Sequence, residues 1–453
     1  MTMTMTPKRL QAAANRARKF GAILLSSTAL AALAGGLAQA GGLGLPDQST
    51  GAIAHAFGGV TVNATPSTAY YNPAGMVLIK GDQIEGDLNF YDISSNFTGS
   101  DTTFNNGAPG TDRHFVESTL VPSNFGVISL PHGIKIGFSI TTPIGGRIKY
   151  APNFVGQYQG NEALLTTIQA GFDIAIPITS KLSIGFGPEI NYFQNILGLN
   201  QNLAPFPGAE GRFQGQGYGF GYNVGVMYQF SPSTRIGIDY RSKISQKIKG
   251  VEAVDLPPAL GSLLTALHAG PPGYSSASDR WTFPQQISFG LYQQVTQRLS
   301  LMASAEWTNW AADHALIITD PATIGFTLGS IYTPFNNRNT WTLGLGGNYL
   351  VNSKLTLMGG VGYDESPTTA ATRNDLLPDA NRIELGAGLT YKILPMATVQ
   401  MGYQHIFIGR APITQSRIGL TATNTLEPGG AGTLTGTYHL SANVFSTGVI
   451  VKF

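Results

Sequence analysis

The feature that most constrains this chain is a period-two alternation whose second face carries few charges. Leu182, Ile184, Phe186 and Ile190 share one parity, with Ser183, Gly185, Gly187 and Glu189 on the other. Ile383, Leu385, Ala387, Leu389 and Tyr391 repeat the pattern against Arg382, Glu384, Gly386, Gly388 and Thr390, and similar runs cover 299–307, 341–349 and 355–363. Successive side chains of a strand point to opposite faces, so each run has a greasy side and a side of small or polar groups. A soluble sandwich would clothe that second side in Lys and Glu. Gly, Ser, Thr, Asn and Gln there instead indicate strands that meet lipid on one side and enclose a crowded polar interior on the other. Backbone groups in hydrocarbon must all be paired, which requires such strands to close into a barrel without edges.

Composition supports the same class. Charged residues are 11% of the 453, against roughly 25% in ordinary soluble domains. No apolar run of 18 residues follows position 40, so a helical membrane span is not expected. With no Cys, neither a disulfide framework nor a thiolate metal site can form.

Residues 1–40 read as an export signal. Lys8, Arg9, Arg16, Arg18 and Lys19 precede an uncharged apolar stretch from Phe20 to Ala38, and Ala38-Gln39-Ala40 places small residues at the cleavage positions. Setting aside those five bases leaves 22 Lys and Arg against 25 Asp and Glu. The apparent basicity therefore belongs to the signal, and nucleic acid is not an expected partner.

Beyond residue 78 the turns alternate short with long. Short connections fall at Pro131-His132-Gly133, Pro177–Ser180, Ser231–Thr234, Gln297-Arg298, Val351–Ser353 and Ile393–Pro395. Gly-, Asn- and Pro-rich stretches at 196–213, 249–280, 315–340, 365–381 and 409–437 read as long loops. Between these marks lie fourteen strands over 79–453, an even number as closure requires. The expected fold is thus all-β, a fourteen-stranded antiparallel transmembrane β-barrel in a bacterial outer membrane. Residues 41–78, broken by Gly and Pro and almost uncharged, suit an N-terminal plug (hatch) in the lumen better than a solvated tail.

Catalytic chemistry finds no foothold. The histidines at 55, 114, 132, 268, 314, 405 and 439 are dispersed without zinc spacing. No phosphate loop, dinucleotide fingerprint or nucleophile elbow occurs, and the acidic pairs Asp82/Glu85 and Asp364/Glu365 sit near strand ends. Neither enzyme activity, metal nor cofactor is expected.

Several segments carry a family likeness. Gly41-Gly42-Leu43 leads through Gly58 to Thr68-Ala69-Tyr70-Tyr71-Asn72-Pro73-Ala74-Gly75-Met76; Thr142-Pro143-Ile144-Gly145, Phe283-Pro284-Gln285-Gln286, Glu306-Trp307-Thr308-Asn309-Trp310, Gly362-Tyr363-Asp364-Glu365-Ser366-Pro367 and Leu377-Pro378-Asp379-Ala380-Asn381-Arg382 follow in order. Together they resemble the FadL/TodX family of outer-membrane transporters of hydrophobic compounds. The alternating end Phe445, Thr447, Val449, Val451 and Phe453 looks like the signal read by the outer-membrane assembly machinery.

The resemblance implies a hatch built on residues such as Gly41, Leu43, Leu45, Asn72, Pro73 and Ala74, with the Asn-Pro-Ala triplet a candidate contact to a kinked third strand. It implies lateral release at that kink, where Pro143, Ile144, Gly145 and Gly146 fall; Pro lacks a ladder donor and paired Gly weakens a strand. It also implies an outer groove. Leu197, Leu199, Leu203, Phe206 and Phe213 in one loop, and Leu260, Leu263, Leu264 and Leu267 on one side of a short helix in the other, supply apolar surface. An acyl chain gains about 0.8 kcal/mol per buried CH₂ there. Packing of the two loops against each other is the alternative role for the same residues.

Arg147, Lys149, Arg212, Arg338, Arg373, Arg382 and Arg410 are candidates to meet a carboxylate headgroup, so fatty acids and aromatic hydrocarbons such as alkylbenzenes both stand open as cargo. A polar-solute porin and an adhesion barrel are the competing classes. Expected partners are hydrophobic small molecules, outer-membrane lipid and lipopolysaccharide, and the expected state is a monomer.

Overall fold

The computed structural model describes residues 44–453 apart from 104–106, 204–205, 256–257, 259–261, 263–274, 313–314, 319–330 and 421–425. Fourteen antiparallel strands form the wall: β1 (Gln83–Asp101), β2 (Thr119–Ser129), β3 in two parts (Lys135–Thr141 and Gly145–Lys149), β4 (Glu162–Pro177), β5 (Leu182–Leu203), β6 (Phe206–Ser231) and β7 in two parts (Thr234–Arg241 and Ile244–Asp255). They continue with β8 in two parts (Ser275–Phe283 and Gln286–Gln294), β9 (Leu299–Thr308), β10 (Thr340–Leu350), β11 (Leu355–Asp364), β12 (Arg382–Leu394), β13 in two parts (Ala397–Ile408 and Ala411–Leu420) and β14 (Leu426–Lys452). Each pairs with the next, and β1 pairs with β14 from Gln83↔Lys452 to Asp101↔Leu434, which closes the ring.

The alternation sorts side chains by face. On β5, Ser183 and Glu189 are buried while Phe186 and Ile190 are exposed; on β12, Arg382 and Glu384 are buried while Ile383 and Leu385 are exposed. The outward apolar face meets hydrocarbon, and the inward face collects Glu85, Asp87, Asn89, Asp239, Glu306 and Asp364.

Short turns repeat one device. Thr179 Oγ1 accepts from the amides of Lys181 and Leu182, Thr296 Oγ1 from Arg298 and Leu299, and Asn352 Oδ1 from Lys354 and Leu355. A side-chain acceptor two and three residues ahead of its donors reverses the chain at once and sets the register of the next hairpin arm.

The long connections differ from the sequence expectation. Most of 196–213 is strand: β5 and β6 run on as paired arms, with Leu197 opposite Phe213 and Leu203 opposite Phe206 at the tip. Likewise 249–255 and 275–280 are arms of β7 and β8, and 411–420 and 426–437 extend β13 and β14. Gly, Asn and Pro read as loop signals there, yet cross-strand pairing continues past the apolar band and overrides them. Within 315–340, Ala315–Ile318 pairs with Ile331–Pro334 as a separate small ladder.

Residues 44–79 contain α1 (Thr50–His55), α2 (Thr68–Tyr71) and 3₁₀ turns at Val60–Val62 and Pro73–Leu78. Ser49 caps α1 by accepting from the Ala52 amide at 3.2 Å. Their partners lie around the inward face of the ring. Thr50 Oγ1 donates to Asp87 on β1 at 2.6 Å, the Ser67 amide to Glu85 at 2.8 Å, the Gly59 amide is bonded to Ser304 on β9, and Ser183 on β5 donates to the Ala74 carbonyl.

Candidate functional site

The site begins where the wall is incomplete. Between the Asn124–Ile140 pair and the bond from the Glu117 amide to the Arg147 carbonyl, no backbone hydrogen bond joins β2 to β3 among the described residues. On the other flank, β3 passes from Thr141↔Gln169 to Gly145↔Thr166, so four steps on β3 answer three on β4, a one-residue bulge at Thr142–Ile144. Thr167 on β4 bridges it: its Oγ1 donates to the Ile144 carbonyl and accepts from the Ile144 amide.

The N-terminal segment supplies what β2 does not. The Leu45 amide donates to the Pro143 carbonyl at 2.8 Å, and Gly44 forms an antiparallel bridge with Ile144. Gln48 spans the break: its Nε2 donates to the Thr142 carbonyl at 2.9 Å, and its Oε1 accepts from the Thr142 amide at 2.9 Å and from the β2 hydroxyl of Ser123 at 3.3 Å. Backbone groups without partners are costly away from water, and this amide side chain gives the Thr142 backbone the partners that β2 does not.

The Asn-Pro-Ala triplet docks elsewhere, which corrects the expected contact with the third strand. Asn72 accepts from the Ala74 amide at 3.1 Å and donates Nδ2 to the carbonyls of Thr61 at 3.0 Å and Val226 on β6 at 3.3 Å. The reason is space. A Cβ at Gly225 would lie 2.1 Å from Asn72 Oδ1, and one at Gly185 would lie 2.4 Å from the Ala74 amide nitrogen, so glycines on β5 and β6 form the seat.

A cavity of about 80 Å³ lies beside the break. Leu45, Pro46, Pro143, Ile144, Ile244 and Phe283 give it an apolar side; Arg241, Glu306, Asp364 and Arg382 give it a charged one. Arg241 is buried, pairs with Glu189 at 2.9 Å, donates to the Tyr70 carbonyl and stands 4.1 Å from the Tyr70 ring centroid. Arg382 pairs with Asp364 at 3.4 Å and Asp379 at 3.3 Å. Burial pushes the Tyr70 phenol up to about 12, so it stays a neutral hydroxyl on the cavity wall.

One apolar cluster links this cavity to the outer hairpin. Leu197 and Phe213 are buried together with Ile144, Phe193, Ile244, Trp281 and Phe283, and Trp310 packs against them. The structure thus joins two residues assigned to the outer groove with one assigned to the strand break. Leu199, Leu203 and Phe206 lie on the hairpin arms, and the placement of their side chains is outside the described part of the chain, as are Gly41, Leu43, Leu260, Leu263, Leu264 and Leu267.

Sequence reasoning missed Gln48 and Arg241. Gln48 has no pattern to mark it. Arg241 had one: Arg235, Asp239 and Arg241 alternate with Ile236, Ile238 and Tyr240, which turns the charged set inward. The candidate headgroup partners named from the sequence lie at strand ends and loops, whereas Arg241 lies within β7. Of those candidates, Arg382 lines the cavity, whereas Arg147 pairs with Glu117 and Glu162 near the outer end of β3.

Comparison with known proteins places the chain among transporters. The family model described as outer membrane protein transport protein (OMPP1/FadL/TodX) matches residues 31–453. A long-chain fatty acid transport protein of Escherichia coli O6:H1 is 27% identical, over 80% of this chain and 84% of its own length. The crystal structure of a Pseudomonas aeruginosa FadL homologue superposes with a TM-score of 0.80 at 23% identity, covering 91% of this chain and all of that one. The Pseudomonas putida toluene transporter TodX gives 0.66 at 15% identity, over 90% and 99%.

Proposed function

The chain belongs to the OMPP1/FadL/TodX family of outer-membrane transport proteins, and from that premise we propose that it carries long-chain fatty acids or related hydrophobic molecules passively across the outer membrane. Cargo is captured among the outer hairpins, passes to the cavity beside residues 44–79, and leaves sideways through the break between β2 and β3. Residues 44–79 serve as the plug. The reading rests chiefly on the apolar cluster that runs from Leu197 and Phe213 to Ile144.

Leu45 and Gln48 occupy the break, so on this reading passage requires both to leave it. No catalytic group is needed, because transfer of each CH₂ from water to an apolar surface is itself favourable by about 0.8 kcal/mol.

A fatty acid is the first choice of cargo because Arg241 and Arg382 line the cavity, and a carboxylate can exchange with Glu189 or Asp364 there. Aromatic hydrocarbons are the second. The observation in their favour is that both guanidiniums already have carboxylate partners, while Tyr70, Phe283 and Trp310 offer ring faces.

The deciding experiment compares uptake of radiolabelled long-chain fatty acid and of an alkylbenzene by an outer-membrane strain lacking its own transporter, with and without this chain. Saturable uptake of one compound selects between the readings. Correct surface assembly with uptake of neither refutes both.

A further inference from the structure

Outside the transport route, the outer half of β7 and β8 carries a charge arrangement that neither folding nor transport accounts for. Ile244, Gln246 and Ile248 point inward and are buried, whereas Lys243, Lys247 and Lys249 are exposed on the outer face. Register places Lys247 directly opposite Arg280, which is also exposed. Like charges facing each other across an antiparallel pair have side chains starting about 5 Å apart and destabilise the sheet. Lys249 adds a third charge about 7 Å along the strand.

Among the described residues, none of these four cations has an Asp or Glu oxygen within 4.0 Å. Glu252 and Asp279 on the same strands face inward and are buried, and the outward pair Glu210 and Asp255 lies beyond the patch toward the hairpin tips. Facing out together, the four cations form a cationic patch to which an external anion would be attracted.

Position identifies the anion's source. Lys243 is nine residues past Thr234 at the short-turn end; at about 3.4 Å per residue and a tilt near 40°, that is roughly 23 Å along the membrane normal, close to the ~25 Å height of an apolar band. Lys247 and Lys249 stand roughly 10–15 Å further out by the same rise. Level with them on β6 the outward side chains are aromatic: by register Tyr222 stands beside Lys243 and Tyr218 beside Lys247, both rings exposed, and Tyr222 meets Tyr240 with ring centroids 6.0 Å apart, while Val224 and Ile238 are exposed below. Aromatic rings of this kind mark the membrane interface. The patch therefore sits at headgroup level above an apolar surface suited to acyl chains.

We propose that Lys243, Lys247, Lys249 and Arg280 form an outward-facing site that binds the phosphate groups of a phosphorylated glycolipid in the outer leaflet, with its acyl chains laid over Val224 and Ile238. Guanidinium and ammonium donors give charge-assisted hydrogen bonds to phosphate oxygens, and the bound anion relieves the Lys247–Arg280 repulsion. The inference needs only the outer-membrane location and is independent of which cargo is transported.

The test is native mass spectrometry of the full chain in detergent, titrated separately with a bis-phosphorylated glycolipid, the same lipid after enzymatic dephosphorylation, and inorganic phosphate. The phosphorylated lipid is expected to bind at least tenfold more tightly than the dephosphorylated one. The double variant Lys247→Gln/Arg280→Gln is expected to lose that preference, while Lys247→Arg keeps it and Lys354→Gln/Lys392→Gln, at the short-turn end, leaves it unchanged. Heat-modifiable gel mobility reports that each variant retains its barrel. Equal affinity for the two lipids, full binding by the double variant, or inorganic phosphate binding as tightly as the lipid would each overturn the site.

Discussion

The Leu45 amide donates to the Pro143 carbonyl at 2.8 Å, so the N-terminal segment stands in the hydrogen-bond ladder of the third strand where the second strand is absent. On the proposed route, opening the break means withdrawing this segment rather than separating two strands.

Locking that contact should stop transport without harming the barrel. The chain has no Cys, so the double variant Gly44→Cys/Ile144→Cys introduces a single possible disulfide between residues already bridged as antiparallel partners. Uptake is expected to fall to background when the pair is oxidised and to return on reduction. Unaltered uptake in a fully oxidised sample would show that cargo leaves by another path.

Asn72→Ala removes the cap on Ala74 and the donors to Thr61 and Val226. Loss of such a cap costs about 1–2 kcal/mol, here borne by the packed segment rather than by the strands. Planar-bilayer recordings should show more frequent conducting events than in the parent chain, with heat-modifiable mobility unchanged.

Leu197→Asp places a carboxylate in the apolar cluster opposite Phe213, and Phe213→Ala leaves a hole there, at a cost of about 3–5 kcal/mol if the space cannot collapse. Both should lower uptake at sub-saturating cargo by about tenfold, the equivalent of about 1.4 kcal/mol in affinity. Fluorescent fatty-acid binding to the purified protein measures this directly. Normal binding in Leu197→Asp would detach the hairpin from the transport route.

The segment should also respond to pH through Asp47. Burial, moderated by the hydrogen bond from Gln404 and reinforced by the charge of Asp364, pushes its carboxyl up to about 7. In the range from about 4 to 7 the packed state holds a proton that the released state gives up, so packing weakens as pH rises through that window. Release, read as susceptibility of the segment to protease, is expected to be greater at pH 8 than at pH 5, and Asp47→Asn should flatten the dependence. A slope of opposite sign would contradict the assignment.

The alternation on β5 and β12 made the wall legible, because a strand with lipid on one side must repeat every two residues whatever its neighbours do. The short turns were equally plain at 177–180, 297–298 and 351–353, although the side-chain acceptors that hold them emerged only from the structure. The outer hairpins were harder. Gly198, Asn200, Gln201 and Gly211 look like loop residues, and only their cross-strand partners make them strand. Asn72 stood out in sequence, but its partners did not, since a hydrogen bond to the Val226 carbonyl reflects the path of the backbone. Gln48 could not be found from sequence, as its part depends on a gap between two other strands.

The inward glycines carry a consequence for how this chain can change over time. A methyl group at Gly360 would meet the His55 carbonyl oxygen at 1.9 Å, and one at Gly386 would meet that of Ile53 at 2.4 Å. The barrel's inner surface is accordingly a cast of one conformer of its own leading residues. Lipid-side positions can exchange one apolar group for another, whereas any rerouting of α1 demands matching alterations on several separate staves at once.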